Sequence, residues 1–271
     1  MTVEQLYTNC LSEAAYFIES NGECAIIDPL RDYQSYIDLA EKKNASIKYI
    51  FETHFHADFV SGHIDLAKKT GAPIVYGPET TTGYPVIIAS DKQRFHIGGV
   101  QVEVIHTPGH TPESTCYLLY NEDGLPHCIF TGDTLFVGDV GRPDLFGASI
   151  SKEEMADRLY DSLQVLKSLP DDVIVYPAHG PGSSCGKNIG SETWTTIGAQ
   201  KRLNYAMQDL PRHEFINTVT LGLSKPPPYF SLNAEINKNG YNSLDDVLIR
   251  SMKALSPEEF EEEMKNPGVI V

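Results

Sequence analysis

Thr53-His54-Phe55-His56-Ala57-Asp58-Phe59 decides the reading of this chain. The segment follows an apolar run, residues 47–52, that is expected to be a strand. Two histidines and a carboxylate in a sharp loop at a strand end can converge on one point. Imidazole and carboxylate are the ordinary ligands of zinc, iron and related ions. Outward from this segment, three more residues occur in settings of the same kind. They are His110 in Thr107-Pro108-Gly109-His110-Thr111, Asp133 in Thr131-Gly132-Asp133, and His179 in Tyr176-Pro177-Ala178-His179-Gly180. Their Gly and Pro neighbours let the backbone turn and present each side chain at a strand end. A lone histidine is usually a surface or hydrogen-bonded residue, and His63, His96, His106, His127 and His213 are read that way. An ordered set of four such motifs is rarely a product of chance.

The rest of the chain supplies strands to carry these loops. Residues 14–19 and 24–28 are β-rich runs separated by the hairpin signal Asn21-Gly22. Residues 73–76, 100–105, 115–120, 128–131 and 173–176 continue the series. Helices are expected over 33–43, over 64–69 where Gly71 stops it, and over 151–169. In the last, Ser151 and Glu154 form a capping box, and Met155, Leu159, Leu163 and Leu166 make one apolar stripe. Residues 180–198 form a Gly/Ser-rich loop, long enough to suggest function. Beyond 199 the chain reads as helical and polar, broken by Pro226-Pro227-Pro228. Strands first and then alternating helices and strands imply sheets covered by helices, an α/β or α+β layer architecture.

Composition excludes several functions. The 271 residues carry 21 Lys and Arg against 37 Asp and Glu, a formal charge of −16. That field repels nucleic acid and anionic membranes. No stretch approaches the length of a membrane span, and the N-terminus lacks a basic head followed by an apolar run. Five scattered cysteines without a CxxC pair suit a reducing, cytoplasmic setting.

The ordered motifs resemble the metallo-β-lactamase superfamily, which implies an αββα sandwich of two mixed sheets flanked by helices, over about residues 1–225. The dinuclear hydrolases of that superfamily, such as glyoxalase II, carry HxHxDH, whereas position 59 here is Phe. A phenyl ring cannot coordinate a metal, which argues against a tight two-metal site of that pattern. The segments 53–62, 106–114 and 131–144, with Pro112-Glu113-Ser114 and Gly141-Arg142-Pro143-Asp144, are similar to the persulfide dioxygenase branch, which binds a single non-haem Fe(II). That resemblance implies His54, His110 and Asp133 as metal ligands. Two histidines and one carboxylate on one face of an iron leave positions open for substrate and oxygen. Zinc and manganese fit the same trio. His56, Asp58 and His179 are then supporting residues that orient ligands and water, or else ligands of a second metal. Asp28, in Ile26-Ile27-Asp28-Pro29, resembles an aspartate that braces the histidine loop.

Three further residues are candidates near the reaction. Arg142 either contacts a substrate carboxylate or fixes its loop through Asp144. Tyr176 either donates its hydroxyl towards substrate or is a core aromatic. Cys185, with Lys187 nearby, is either a thiol of lowered pKa that handles sulfur or an ordinary loop cysteine.

The resemblance implies an iron-dependent persulfide dioxygenase that oxidises the terminal sulfur of a glutathione-type persulfide with O2 to sulfite. A glyoxalase II-like thioester hydrolase is the alternative. It also implies a helical extension over 226–255 and the opening of a rhodanese domain over 256–271. There Ser256-Pro257-Glu258-Glu259 is a capping box, and an apolar strand starts at 268–271. A homo-oligomer is expected.

Overall fold

A computed structural model describes residues 1–146, 150–252 and 254–269. Two six-stranded sheets form the centre of the first compact unit, Met1–Gly240. In the first sheet, β1 (Thr2–Thr8), β2 (Glu13–Ser20) and β3 (Glu23–Ile27) pair antiparallel. Then β4 (Ser46–Phe51), β5 (Ile74–Tyr76) and β6 (Ile87–Ile88) add on in parallel. The first two parallel steps need crossovers, which α1 (Gln34–Lys42) and α2 (His63–Thr70) provide by packing on β4, and the chain 77–86 makes the third. Strand β2 is buried continuously over Glu13–Ile18 instead of in alternation, so both of its faces are covered.

The second sheet comprises β7 (Arg94–Ile97), β8 (Val100–His106), β9 (Thr115–Tyr120), β10 (Pro126–Gly132), β11 (Ile174–Pro177) and β12 (Thr195–Thr196). Strands β7 to β10 pair antiparallel, and β10 and β11 pair in parallel. It follows that β8, β10 and β11 all run the same way, so their C-terminal ends share one edge.

The two sheets close on a core of large side chains. Phe51 from the first sheet meets Phe95 of the second edge-on at 5.5 Å, and Tyr16 meets Phe130 at 4.9 Å. Each such buried ring contributes roughly 1.5–3 kcal/mol. On the outer face of the second sheet lies α3 (Lys152–Lys167), with α4 (Ile197–Leu203) and α5 (Arg212–Thr220) beside it. Met155, Leu159, Leu163 and Leu166 are all buried, as the stripe predicts. The expected capping box there is only half formed. Ser151 accepts from the Glu154 amide, but the Glu154 carboxylate turns to Arg158. The fold class read from the sequence is the one observed, with helices on both outer faces of the paired sheets.

Helix α6 (Phe230–Asn239) also belongs to the first unit, which therefore runs past residue 225. The second unit, Tyr241–Val271, holds α7 (Leu244–Ser251) and α8 (Pro257–Glu263). Helix α8 starts with the complete capping box expected at Ser256 and Glu259. Of the strand expected at 268–271, Gly268 lies in a turn and Val269 in no regular element, while Ile270 and Val271 lie outside the described residues. No helix among the described residues is long and apolar enough to cross a membrane.

Candidate metal centre

The loops after β4, β8, β10 and β11 deliver His54, His110, Asp133 and His179 to one edge of the sandwich. Nε2 of His110 lies 3.3 Å from Asp133 Oδ2, and Nε2 of His54 lies 3.8 Å from the same oxygen. Donor atoms of these three residues fall within 4.8 Å of one another. The other oxygen, Oδ1, faces His179 Nε2 at 3.5 Å. His179 Nε2 also lies 3.5 Å from Asp58 Oδ2, and His56, Asp58 and His179 form a second donor group. The structure thus brings together all six residues of the sequence motifs, as two groups that meet at Asp133.

Hydrogen bonds on the far side of each ring set its orientation. His110 Nδ1 faces the Arg142 carbonyl at 2.9 Å and His179 Nδ1 faces the Ser12 carbonyl at 3.2 Å. A carbonyl only accepts, so both Nδ1 atoms carry the proton and both Nε2 lone pairs point inward. Asp28 fixes His54 by a relay. Its Oδ2 accepts from the Thr53 hydroxyl at 2.8 Å, and that hydroxyl, its one proton used, accepts from His54 Nδ1 at 2.9 Å. Asp28 Oδ1 takes the Thr53 amide at 2.7 Å. His56 is turned the other way. Its Nε2 faces Asp28 Oδ1 at 3.2 Å and Glu52 Oε2 at 3.7 Å.

The electrostatics favour a cation at the centre. Burial, with the neighbouring His56, His110 and His179 rings, pushes His54 well below the ordinary histidine range, so the ring is neutral. For His56, burial acts downward, but Asp28, Glu52 and Asp58 outweigh it and lift the ring to about 10. Both oxygens of Asp133, Oδ1 of Asp58 and Nε2 of His179 are buried with no hydrogen-bond partner. Native interiors rarely leave such atoms unpaired, and a bound ion is one standard reason for them. The donor set fits a divalent metal.

Several partners were not legible in the motifs. Asn237 of α6 clasps the histidine loop. Its Nδ2 donates to the carbonyls of His56 and Phe59 at 2.8 Å each, and its Oδ1 accepts from the Ser61 amide at 2.9 Å. Glu113 Oε1 accepts from the Phe55 amide at 3.1 Å. Glu52 accepts from the Ser61 hydroxyl at 2.6 Å and faces His63 Nδ1 at 3.3 Å. Glu113 lies within the motif segment 106–114. Nothing in the sequence marks Asn237.

The candidates outside the six motif residues divide. The Arg142 guanidinium grips Asp144 through two bonds, at 2.6 and 2.9 Å, and reaches the carbonyls of Ser184 and Ser224. It holds its loop, and its own carbonyl orients His110. Tyr176 stacks on Phe130 at 5.6 Å and packs in the core between the sheets. Cys185 does lie beside the centre, grouped with Asp133 and His179. The expectation that Lys187 lowers its pKa is corrected. Lys187 Nζ instead donates to the Thr218 and Leu221 carbonyls at the end of α5. Burial, then Asp133 and Asp58, pushes the thiol up.

A cleft of about 380 Å³ opens beside His110. Phe55, Leu145 and Phe230 give it apolar walls, and Glu79, Glu235 and Lys238 supply charge.

The pattern of the Metallo-beta-lactamase superfamily matches residues 8–179, the span that carries all six motif residues. This chain belongs to the metallo-β-lactamase superfamily. It is 36% identical over 231 residues to "Probable hydroxyacylglutathione hydrolase glo2" of Schizosaccharomyces pombe, covering 83% of this chain and 84% of that one. It is 33% identical over 156 residues to a hydroxyacylglutathione hydrolase of Pelagibacter ubique, covering 57% and 60%. Among solved structures, a metallo-β-lactamase from Staphylococcus aureus is 36% identical with a TM-score of 0.84, covering 89% of this chain and 73% of that one. ETHE1 from Myxococcus xanthus is 29% identical with a TM-score of 0.74, covering 88% and 98%.

These relatives overturn the oxidoreductase expected from the sequence. The curated relatives are named as hydrolases at higher identity than the ETHE1 structure reaches, so the persulfide dioxygenase reading is replaced by the hydrolase alternative. The physical reason is that the motifs specify donor atoms for a metal. They do not specify which bond the bound metal acts upon.

Proposed function

We propose that this chain is a metal-dependent hydrolase of glutathione thioesters of 2-hydroxy acids. The observation that carries it is the placement of Asp133 between two donor groups, with buried unpartnered atoms on both sides. The relatives named as hydroxyacylglutathione hydrolases support the substrate class. His54, His110 and Asp133 would hold one divalent ion, and His179, Asp58 and the other oxygen of Asp133 would face a second. Imidazole and carboxylate suit zinc or iron. Such ions polarise a carbonyl and bring the pKa of water down to about 7.

The remaining work falls to the protein's own side chains. The apolar walls of the cleft at Phe55 and Phe230 exclude water from around the acyl group, and Lys238 offers a cation to a glutathione carboxylate. Asp58 keeps a buried Oδ1 without a partner, which suits it to accept a proton from the attacking water. The leaving group is a thiolate, which departs without a strong general acid because its thiol pKa is about 8.5. The test is steady-state hydrolysis of S-lactoylglutathione by chelator-stripped and metal-reloaded protein. Activity that returns with zinc or iron is expected. A reloaded protein without activity on this thioester would remove the proposal.

A further inference from the structure

The second donor group poses a chemical problem. Phe59 is buried against the His56 ring at 4.4 Å, and a phenyl ring offers no donor atom. Yet the atoms around His179 remain unsatisfied. His179 Nε2 has no hydrogen-bond partner and is 1% exposed as a residue, and Asp133 Oδ1 is likewise buried and unpartnered. The thiol of Cys185 falls on this side of Asp133. Donor atoms of Asp133, His179 and Cys185 lie within 4.8 Å of one another, and His179 is shared with the Asp58 group.

The thiol is held there by its surroundings. Cys185 is 1% exposed and packs with Ala57, Phe136 and Phe230. Its carbonyl accepts from the Arg142 amide at 3.0 Å. The next turn is anchored by Asp139, whose Oδ2 accepts from the amides of Lys187 and Asn188 at 2.6 Å each. Asp139 is itself buried and takes the Tyr205 hydroxyl on its other oxygen. The long Gly/Ser-rich loop is therefore pinned on both sides of Cys185, and its one buried sulfur sits next to two orphaned donors.

We infer that Cys185 is a metal ligand, completing with His179, Asp133 and Asp58 a second, sulfur-containing position for a thiophilic divalent ion such as zinc. The inference rests on the two-group metal centre proposed above. One nitrogen, two carboxylate oxygens and one sulfur make a four-donor set of the kind tetrahedral zinc accepts. On binding, the thiol gives up its proton to solvent and the thiolate forms the metal–sulfur bond, with no change in oxidation state. A thiolate would also skew the position away from magnesium and manganese, which prefer oxygen donors.

Cobalt(II) titration of the metal-free full-length protein tests this by spectroscopy, independently of turnover. Occupancy of the sulfur position should produce a thiolate-to-cobalt charge-transfer band in the near ultraviolet. Cys185→Ser should lose that band while keeping the visible bands of the remaining cobalt. Bound zinc, measured by elemental analysis after dialysis, should fall from about two per chain to about one in the variant. A wild-type protein that fills with cobalt without the band would overturn the inference. So would a folded Cys185→Ser that holds as much zinc as wild type with the same affinity. If the variant fails to fold, the wild-type spectrum alone decides. Thioester hydrolysis is scored separately: a charge-transfer band in a protein inactive on thioesters would uphold this site and reject the hydrolase reading.

Discussion

Oδ2 of Asp133 stands 3.3 Å from His110 Nε2, while Oδ1 of the same carboxylate stands 3.5 Å from His179 Nε2. One buried side chain thus faces both donor groups, with no hydrogen bond to compensate either oxygen. In the metal-free protein this arrangement costs stability, at about 1–3 kcal/mol for each stranded polar group. Asp133→Ala should therefore abolish metal binding and yet leave the metal-free protein as stable as wild type or more so. Denaturant melts with chelator present, alongside zinc analysis, check both halves. A marked loss of metal-free stability would show that Asp133 has a structural role.

The clasp made by Asn237 gives a second prediction. It stands 181 residues from His56 in sequence and makes three bonds to the loop 56–61. Asn237→Ala strands two carbonyls and one amide in the interior, so it should cost more than about 2 kcal/mol. Metal affinity should fall by roughly 10–100-fold, because the loop that presents His56 and Asp58 loses its far-side support. Urea midpoints and competitive zinc titration measure the two effects.

Tyr16 supports the opposite wall. Its hydroxyl donates to the Pro177 carbonyl at 2.6 Å and accepts from Gln5 Nε2 at 3.0 Å, two residues upstream of His179. Tyr16→Phe keeps the ring packing and removes both bonds. A loss of about 1–3 kcal/mol is expected, read from denaturant unfolding, with the number of bound metals unchanged.

Gly132 tests how tightly the strand end is built. Its φ is +50°, and a Cβ there would sit 2.6 Å from Thr53 Oγ1 and 2.7 Å from Thr53 Cβ. Thr53 is the relay between Asp28 and His54. Gly132→Ala combines left-handed strain of about 1–2 kcal/mol with overpacking of about 1–3 kcal/mol. It should lower thermal stability and weaken metal binding together. Wild-type metal affinity in this variant would mean that the Thr53 relay does not govern His54.

What the sequence disclosed follows from where the information lies. Strand periodicity and turn residues are local, so the runs carrying the His54, His110, Asp133 and His179 loops could be read directly. The donors announced themselves because four motifs bearing histidine or aspartate follow strands in order. Residues acting through the backbone gave no such signal. The Arg142 carbonyl orients His110, but any residue has a carbonyl, and only the guanidinium distinguishes arginine in a sequence. Asn237 is one polar residue on a polar helix until the fold sets it beside the histidine loop. The short strands β6, β7 and β12 escaped because pairing partners define them more than their own composition. The half-formed box at Ser151 shows the same limit, since Glu154 had Arg158 as a competing partner. The reaction is not legible in these motifs because donor geometry is common to enzymes that break different bonds.

Metal-dependent thioester hydrolysis by the proposed site requires the His54, His110 and Asp133 group. The most direct measurement is release of free glutathione from S-lactoylglutathione by zinc-loaded wild type and by His110→Ala, each with its metal content determined. Steady release is expected from wild type, with a loss of at least about 100-fold in the variant, as fits removal of a metal ligand. Metal-replete wild-type protein that releases no glutathione would contradict it, as would a His110→Ala variant that keeps wild-type turnover.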